Sequence, residues 1–239
     1  MRLAVLSDIH ANLEALEAVR RAGEERGVER WVCLGDVVGY GADPQACLAR
    51  VRQWMAFCVM GNHDQAVAGQ GGLEYFNPWA RRVAEWTAAR LQPGERQYLA
   101  GLPLSMAEGD ALYVHAHPVD PGGWGYVLSA REARAALEAT PARLCFVGHS
   151  HQPLACAAGS GLLAIEDLIA LRPGERYLVN AGSVGQPRDG NWRACFLVWD
   201  QGGDTLEFVR SDYDLHRAQA KILAAGLPPL LAQRLAQGY

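Results

Sequence analysis

Short apolar runs recur along the chain, and each of them ends in a polar or glycine-rich corner. These runs span residues 2–6, 30–34, 56–60, 111–114 and 144–147. Apolar stretches of about four to six residues between such corners are typical of buried β-strands. The pattern therefore predicts five strands, each with a polar side chain just beyond its carboxyl end.

Helical patterns separate the first three runs. Asn12 is a candidate N-cap for a helix over residues 13–26, whose apolar positions form one stripe and which Gly27 ends. Pro44 stands at the first position of a second helix, which reaches about residue 55. Alternating strands and helices predict right-handed crossovers and a largely parallel sheet, whose ligand sites lie at the carboxyl ends of its strands. We therefore expect the polar corners to meet at one edge.

Residues 66–104 interrupt this alternation. A glycine-rich segment at 69–72 is followed by an aromatic and arginine-rich helical pattern at 78–90 and a short helix at 93–100. We interpret the aromatic side chains of this region mainly as packing against the body of the protein, with a lid over the site as the alternative. They are Tyr75, Phe76, Trp79 and Trp86.

After residue 150 the pattern becomes rich in strands separated by glycine turns. The runs cover residues 154–158, 162–166, 176–179, 193–200 and 205–210. We expect them to form a second sheet packed face to face with the first. In the absence of repeats or low-complexity linkers, we predict a single domain over residues 1–239, with a helical insertion at about 66–104 and closing helices at about 213–237.

The composition is that of a folded protein with a slightly acidic balance. The chain has 239 residues, of which 50% are hydrophobic and 20% charged, which is ample for a core and excludes a disordered chain. The 22 Lys and Arg residues against 26 Asp and Glu residues leave a net charge of −4. This balance disfavours a polymeric nucleic acid or a membrane surface as the main partner, and an anionic substrate would need a local positive centre.

The cysteines and the N-terminal segment indicate a cytoplasmic protein. The 6 cysteines form no Cys-x-x-Cys pair, and most of them lie in apolar runs, where a reduced thiol behaves as a small hydrophobic side chain. The apolar run at residues 2–6 is too short for a signal peptide, and no stretch approaches the length of a spanning helix.

Seven residues at the predicted strand ends carry metal-binding chemistry. They are Asp8, His10, Asp36, Asn62, His115, His149 and His151. Singly, each is an ordinary turn or cap residue, but together they offer the oxygen and nitrogen donors that Zn, Mn and Fe prefer. The set suffices for two metal ions with positions open to water and substrate, and Asp36 could bridge both ions.

The order of these motifs resembles the calcineurin-like metallophosphoesterase superfamily, and more narrowly its small bacterial and archaeal phosphodiesterase branch. The matching motifs are Asp8-x-His10, Gly35-Asp36-x-x-Gly39, Gly61-Asn62-His63-Asp64, His115 and Gly148-His149-x-His151. The segment Asn180-Ala-Gly-Ser183 is similar to the Asn-Pro-Gly-Ser loop of that branch, with Ala181 in place of proline. The resemblance implies an α/β fold, a four-layer αββα sandwich of two mixed β-sheets flanked by helices.

The resemblance also implies how two divalent ions would be held. One ion would have the ligands Asp8, His10, Asp36 and His151, and the other Asp36, Asn62, His115 and His149; Mn, Zn, Fe, Ni or Co would each suit these donors. A hydroxide that bridges the ions would attack phosphorus in line with the leaving oxygen. His63 would be the general acid, and Asp64 would either orient His63 or cap the helix that follows.

The substrate is the least determined feature. Asn12, His117 and Arg188 are weaker candidates for substrate contacts, since a helix cap explains Asn12 and a loop role suits His117. The arginine that protein Ser/Thr phosphatases carry after the Gly-Asp motif is missing here. We predict hydrolysis of a small phosphate ester, either a phosphodiester or a nucleotide. The alternatives are a phosphomonoesterase, a dinucleoside polyphosphate hydrolase and a non-catalytic scaffold; homo-oligomer formation stays open.

Overall fold

The computed structural model describes residues 1–165 and 168–239, and within these ranges the strands form two six-stranded sheets. Across the first sheet the order is β3 (Phe57–Cys58), β2 (Arg30–Cys33), β1 (Arg2–Leu6), β11 (Ala194–Asp200), β12 (Thr205–Ser211) and β9 (Ile169–Ala170). Strands β1, β2 and β3 run parallel, whereas β11 pairs antiparallel with β1 and β12 antiparallel with β11. The first sheet is therefore mixed.

The second sheet is also mixed. Its order is β4 (Ser105–Glu108), β5 (Ala111–Val114), β6 (Leu144–Val147), β10 (Tyr177–Asn180), β7 (Leu154–Ala157) and β8 (Gly161–Leu162). Strands β5, β6 and β10 run parallel, whereas β4 pairs antiparallel with β5, β7 with β10 and β8 with β7.

Helices cover the outer faces of the two sheets. In chain order they are α1 (Leu13–Glu25), α2 (Pro44–Trp54), α3 (Asn62–Ala68), α4 (Pro78–Ala88), α5 (Pro93–Ala100), α6 (Ala130–Glu138), α7 (Leu215–Ala224) and α8 (Pro229–Gln237). Strand β1 shows the layering, because alternate side chains of a strand point to opposite faces. Leu3 and Val5 belong to the core between the sheets, whereas Ala4 and Leu6 pack with helix residues such as Leu16. On the far side α6 packs against the second sheet, which confirms the four-layer αββα arrangement.

The predicted division of strands between the sheets is wrong. Strands β11 and β12 follow residue 150 but join the first sheet, whereas β5 and β6 precede it and belong to the second. Sheet membership depends on long-range pairing, such as Arg2 opposite Asp200, which no local pattern shows. The run predicted at 162–166 forms a strand only at Gly161–Leu162, and its end at Glu166 lies outside the described residues.

The helices after Met60 show where the local patterns were incomplete. The sequence interpretation missed α6, and it expected a helix only after Asp64, whereas α3 already begins at Asn62. Helices α4 and α5 confirm the helices predicted at 78–90 and 93–100. Phe76 and Trp86 pack against the core as expected. Tyr75 is 85% exposed and Trp79 is 48% exposed, so the prediction that these two side chains pack against the body of the protein is wrong. A membrane-crossing helix, long and apolar enough for that role, is absent from the described ranges.

Candidate metal centre

The polar corners meet at one edge of the sandwich, and their backbone is strained there. Of the nine non-glycine residues with positive φ in the described part of the chain, seven are clustered in these corners. They are Asp8, His10, Ala11, Asp36, Tyr40, His149 and His151. Each such residue costs on the order of 1 kcal/mol or more and persists only where its surroundings enforce it, as at functional sites.

The first ligand group consists of Asp8, His10 and His151, whose ligand atoms all lie within 4.8 Å of one another. Nε2 of His151 is 3.2 Å from Oδ1 of Asp8, and Nε2 of His10 is 3.7 Å from the same oxygen. The two Nε2 atoms are 3.1 Å apart. All three side chains are buried.

Asp36, His115 and His149 form the second group. Oδ2 of Asp36 lies 3.4 Å from Nε2 of His115, which is 3.2 Å from Nδ1 of His149. The same Oδ2 is 3.7 Å from Nε2 of His10 in the first group. Asp36 therefore faces both groups, in the position that a bridging carboxylate would need. Its other oxygen accepts a hydrogen bond of 2.8 Å from the backbone N–H of His63.

Backbone carbonyls set the orientation of three imidazoles. Nδ1 of His10 lies 3.0 Å from the carbonyl oxygen of Val38, Nδ1 of His115 is 2.8 Å from that of Leu34, and Nδ1 of His151 is 2.5 Å from that of Gln186. A carbonyl only accepts, so Nδ1 carries the proton in each ring. The Nε2 atoms are thereby aimed at the ligand groups, as in metal sites whose histidines are held from outside.

The donor set fits divalent cations. The facing Nε2 atoms of neutral His10 and His151 both present lone pairs, which repel unless a positive charge lies between them. Oδ1 of Asp8 and Oδ1 of Asn62 are buried without a hydrogen-bond partner among the described residues. Buried polar atoms without a partner are rare, and two cations, one at each ligand group, would satisfy these four atoms.

The pKa shifts of the ligand residues also favour a cation in this site. Burial would raise the pKa of Asp8 and of Asp36, but His151 beside Asp8 and His115 beside Asp36 outweigh it and hold both values well below the ordinary range. Burial lowers the pKa of His149 to about 3. It also opposes the charged form of His115, yet the attraction of Asp36 and Asp8 raises that pKa to about 10. Two buried carboxylates thus favour a positive charge in this site.

His63, on α3, forms a third buried group with His10 and Asp36, whose ligand atoms also lie within 4.8 Å of one another. Its ring is packed between those of Tyr40 and Phe76, with centroids 4.6 and 4.5 Å away. Burial lowers the pKa of His63 to about 4, and its Nδ1 has no hydrogen-bond partner in the part of the chain described. Gly39 makes room for this ring, since a Cβ there would lie 2.4 Å from Nδ1 of His63.

Asp64 makes its contacts with backbone N–H groups. Its Oδ2 accepts from Gly61, which caps α3, and its Oδ1 accepts from Val37 and Val38 in the loop after β2. Burial and the charge of Asp36 raise the pKa of Asp64 to about 7, although the hydrogen bonds oppose this shift. Of the two alternatives for Asp64, capping is the one that its contacts support.

The three weaker candidates lie in different surroundings. Asn12 accepts from the N–H of Ala15 to cap α1 and donates to the carbonyl of Gly185, 3.0 Å away. His117 is half-buried, and its Nδ1 accepts from the N–H of Val119 within its own loop. Only Arg188 borders the cavity beside the metal ligands.

That cavity has a volume of about 660 Å³. Of the metal-ligand candidates, Asp36, Asn62, His149 and His151 line it, together with His63. Its walls also contain Tyr40, Trp124 and Tyr126, which the sequence interpretation missed. Tyr40 directly follows a matched motif and could have been found there, whereas no spacing signal marks the loop of Trp124 and Tyr126.

Similar proteins were found by sequence and by structure. The protein MJ0912 of Methanocaldococcus jannaschii is 38% identical over 240 residues, which cover 99% of this chain and 98% of that protein. A metallophosphoesterase from Sphaerobacter thermophilus has a crystal structure with a TM-score of 0.90 and 38% identity, covering 100% of this chain and 99% of that chain. The protein PH1004 from Pyrococcus horikoshii OT3 shares the fold at 21% identity, with a TM-score of 0.83 and coverage of 100% and 98%.

The family model for the calcineurin-like phosphoesterase superfamily domain matches residues 1–202. This range contains the ligand groups and every strand except β12. The closing helices α7 and α8 lie beyond it. The match over most of the chain, together with relatives 38% identical across nearly its full length, shows that this chain belongs to the calcineurin-like phosphoesterase superfamily.

Proposed function

We propose that this protein hydrolyses a small phosphate ester, a phosphodiester or a nucleotide, with two divalent cations at the centre. The superfamily consists of metal-dependent phosphoesterases, which supports a hydrolase. The observation that carries the proposal is that Asp36 faces two of the three buried ligand groups, the one with Asp8 and the one with His115, and that the site opens to one cavity. A single ion would leave one of the two groups without a cation.

Each ligand residue has a role in this proposal. Asp8, His10 and His151 hold one ion, and Asn62, His115 and His149 hold the other, with Asp36 shared. Bound cations would supply charge neutralisation at the phosphoryl oxygens and an activated water for in-line attack on phosphorus. Mn²⁺ is our first choice of metal, because the set mixes carboxylate, amide and imidazole donors.

His63 and Arg188 act on the ester itself. His63 donates a proton to the leaving oxygen, and the negative charge of a bound phosphate favours the protonated ring despite its burial. The guanidinium of Arg188 lies 5.7 Å from the ring centroid of Tyr40 and donates to Oε1 of Gln186, 3.0 Å away. Arg188 lines the cavity beside the metal ligands, which places a positive charge where a phosphate would bind. Asp64 serves as a positioning residue that holds the start of α3.

Hydrolysis of model esters tests the proposal. Protein stripped with a chelator and reloaded with Mn²⁺ should cleave bis-p-nitrophenyl phosphate and p-nitrophenyl phosphate, and the stripped protein should cleave neither. A metal analysis should find about two ions per chain. Failure to cleave either ester with Mn²⁺, Ni²⁺, Co²⁺ or Zn²⁺ would count against an enzyme.

A substrate screen decides between the remaining alternatives. Phosphomonoesters, cyclic nucleotides and dinucleoside polyphosphates would each give a different rank order of kcat/KM. A non-catalytic scaffold is disfavoured because every ligand candidate and His63 are present at one site. A polymeric nucleic acid is disfavoured by the net charge of −4.

We infer a reducing compartment, the cytoplasm, from the thiols. All six cysteines lie in the described part of the chain, and each is buried and free. Such thiols persist where disulfides do not form.

A further inference from the structure

The cavity beside the metal centre is larger than a phosphate group needs. Its volume of about 660 Å³ lies within the range of roughly 300 to 1,000 Å³ that is typical of pockets for drug-sized ligands. The metal ligands and His63 line only a part of it. The rest is available to the organic part of an ester.

Aromatic side chains from two separate segments line this space, and we call these two sets the aromatic walls. One wall consists of Tyr75 and Phe76, and the other of Trp124 and Tyr126. The ring of Phe76 lies 4.5 Å from that of His63. The ring of Tyr126 is stacked on that of His149, with centroids 4.1 Å apart and an angle of 12° between the planes. Both walls therefore reach the metal centre.

The aromatic walls expose apolar side-chain surface, and their backbone is strained at Trp124. A purely structural role would require neither. Tyr75 is 85% exposed, and Tyr126 is 47% exposed although one face lies against His149. Trp124 has a φ of 54°, which is rare for a bulky side chain, and its Nε1 donates to Oε1 of Gln65, 3.0 Å away. Exposed aromatic surface and enforced strain beside a concave site are features of ligand binding.

The other lining residues restrict what the ligand can be. Outside the metal centre, the charged side chains of the described lining are Glu74 and Arg188. The remainder consists largely of glycine, alanine and amide side chains, the latter from Gln65, Gln70 and Asn77. A planar ring with hydrogen-bonding edges matches aromatic faces combined with amides, whereas a lipid chain would leave the amides unused.

We propose that the aromatic walls form a subsite for a nucleobase, so that the substrate is a phosphate ester of a nucleoside. The base stacks on Tyr75 and on the free face of Tyr126, while its phosphate reaches the metal centre and Arg188. The assignment of the phosphate end rests on the proposed function. The nucleobase subsite itself can be tested without any hydrolysis.

The experiment measures equilibrium binding of adenosine, guanosine, cytidine and uridine to the Mn²⁺-loaded protein by calorimetry, with ribose as the ligand that lacks a base. We expect at least one nucleoside to bind at millimolar concentration or below and ribose not to bind. Tyr75→Ala and Tyr126→Ala should each weaken nucleoside binding about fivefold or more, since each removes a stacking face.

Matched variants serve as controls. Tyr126→Phe keeps the ring and should keep the affinity. Trp79→Ala removes an aromatic side chain that is 48% exposed but does not line the cavity. This variant should bind nucleosides with the affinity of the unaltered protein. The proposed subsite is overturned if no nucleoside binds. It is also overturned if Tyr75→Ala and Tyr126→Ala both leave the nucleoside affinity unchanged.

The two proposals fail separately. If nucleosides bind through the aromatic walls but no ester is cleaved, the proposed function fails and the subsite stands. If simple esters are cleaved but no nucleoside binds, the subsite fails and the proposed function stands.

Discussion

At the scale of single residues, the chemistry of this site depends on neighbours that are distant in sequence. His10 is oriented by the carbonyl of Val38, and His151 by that of Gln186. The sequence identifies these histidines as candidates through their motifs. It does not show which ring nitrogen faces the candidate metal site, because that follows from a carbonyl brought there by folding.

His63 is the residue whose removal should separate catalysis from metal binding. In His63→Ala the ligand groups remain, so metal content should be unchanged while kcat falls by about 10²-fold or more, as expected on loss of a general acid. Turnover of bis-p-nitrophenyl phosphate and metal analysis check this. His216→Ala, an exposed histidine on α7, is the control and should leave kcat unchanged. Equal turnover of both variants would rule out the acid role.

Gly39 should affect the position of the His63 ring as well as the local backbone conformation. Its φ is 94°, and an added Cβ would lie 2.4 Å from Nδ1 of His63, so Gly39→Ala should displace the ring. We expect a fall in kcat of about tenfold or more, since small misplacements of catalytic groups cost that much, and a loss of about 1 kcal/mol of unfolding free energy.

Gly27→Ala is the matched control for this prediction. Gly27 also has a positive φ, of 68°, but nothing lies within 4 Å of its added Cβ. Urea unfolding should show a similar loss of stability, while the kinetics should stay as in the unaltered protein. If the two variants have the same kcat, the contact between Gly39 and His63 has no catalytic consequence.

At the scale of elements, each corner joins the end of a strand to the start of a helix, and side chains at these junctions hold the ligand loops. Asn12 caps α1 and ties it to Gly185, while Asp64 caps α3 and ties it to the loop after β2. Caps of this kind set the angle at which a helix leaves the site. The capping role accounts for the presence of Asn12 and Asp64, two polar residues near the centre that are not candidate metal ligands.

Asn12→Ala tests whether Asn12 is a cap or a substrate contact. Loss of the cap and of the bond to Gly185 should lower the free energy of unfolding by about 1 to 3 kcal/mol, with kcat changed less than about fivefold. Urea unfolding and steady-state kinetics measure the two effects. Ser129→Ala removes the cap of α6 away from the cavity and should lose only stability. A large fall in kcat with stability retained would instead make Asn12 a phosphate contact.

At the scale of the whole molecule, the centre lies between the two sheets. Asp8, Asp36 and Asn62 follow strands of the first sheet, whereas His115 and His149 follow strands of the second. A cation held by both sets joins the two sheets at one edge. Metal binding should therefore stabilise the entire fold, because the ligands are assembled only in the folded state.

Removal of metal should lower the melting temperature. At a free metal concentration about 1,000 times the Kd, binding contributes about 4 kcal/mol, which corresponds to roughly 10 °C for a chain of this length. Scanning calorimetry of stripped and Mn²⁺-reloaded protein measures the difference. In Asp36→Ala the effect of Mn²⁺ should be much smaller, since the carboxylate proposed to be shared by the two ions is lost. The same melting temperature with and without metal would show that the centre is not a binding site.

The sequence by itself determined most of the local elements and the candidate ligand residues. Strands such as β1 and β6 and helices such as α1 follow from apolar periodicity and caps, and the motifs from Asp8 to His151 carry the metal chemistry. The tertiary structure decided the pairing of β11 with β1, the orientation of the imidazoles by distant carbonyls and the cavity lining supplied by Trp124 and Tyr126. Periodicity and capping act within a few residues, whereas these contacts join segments far apart in the chain. Only the folded chain could therefore decide them.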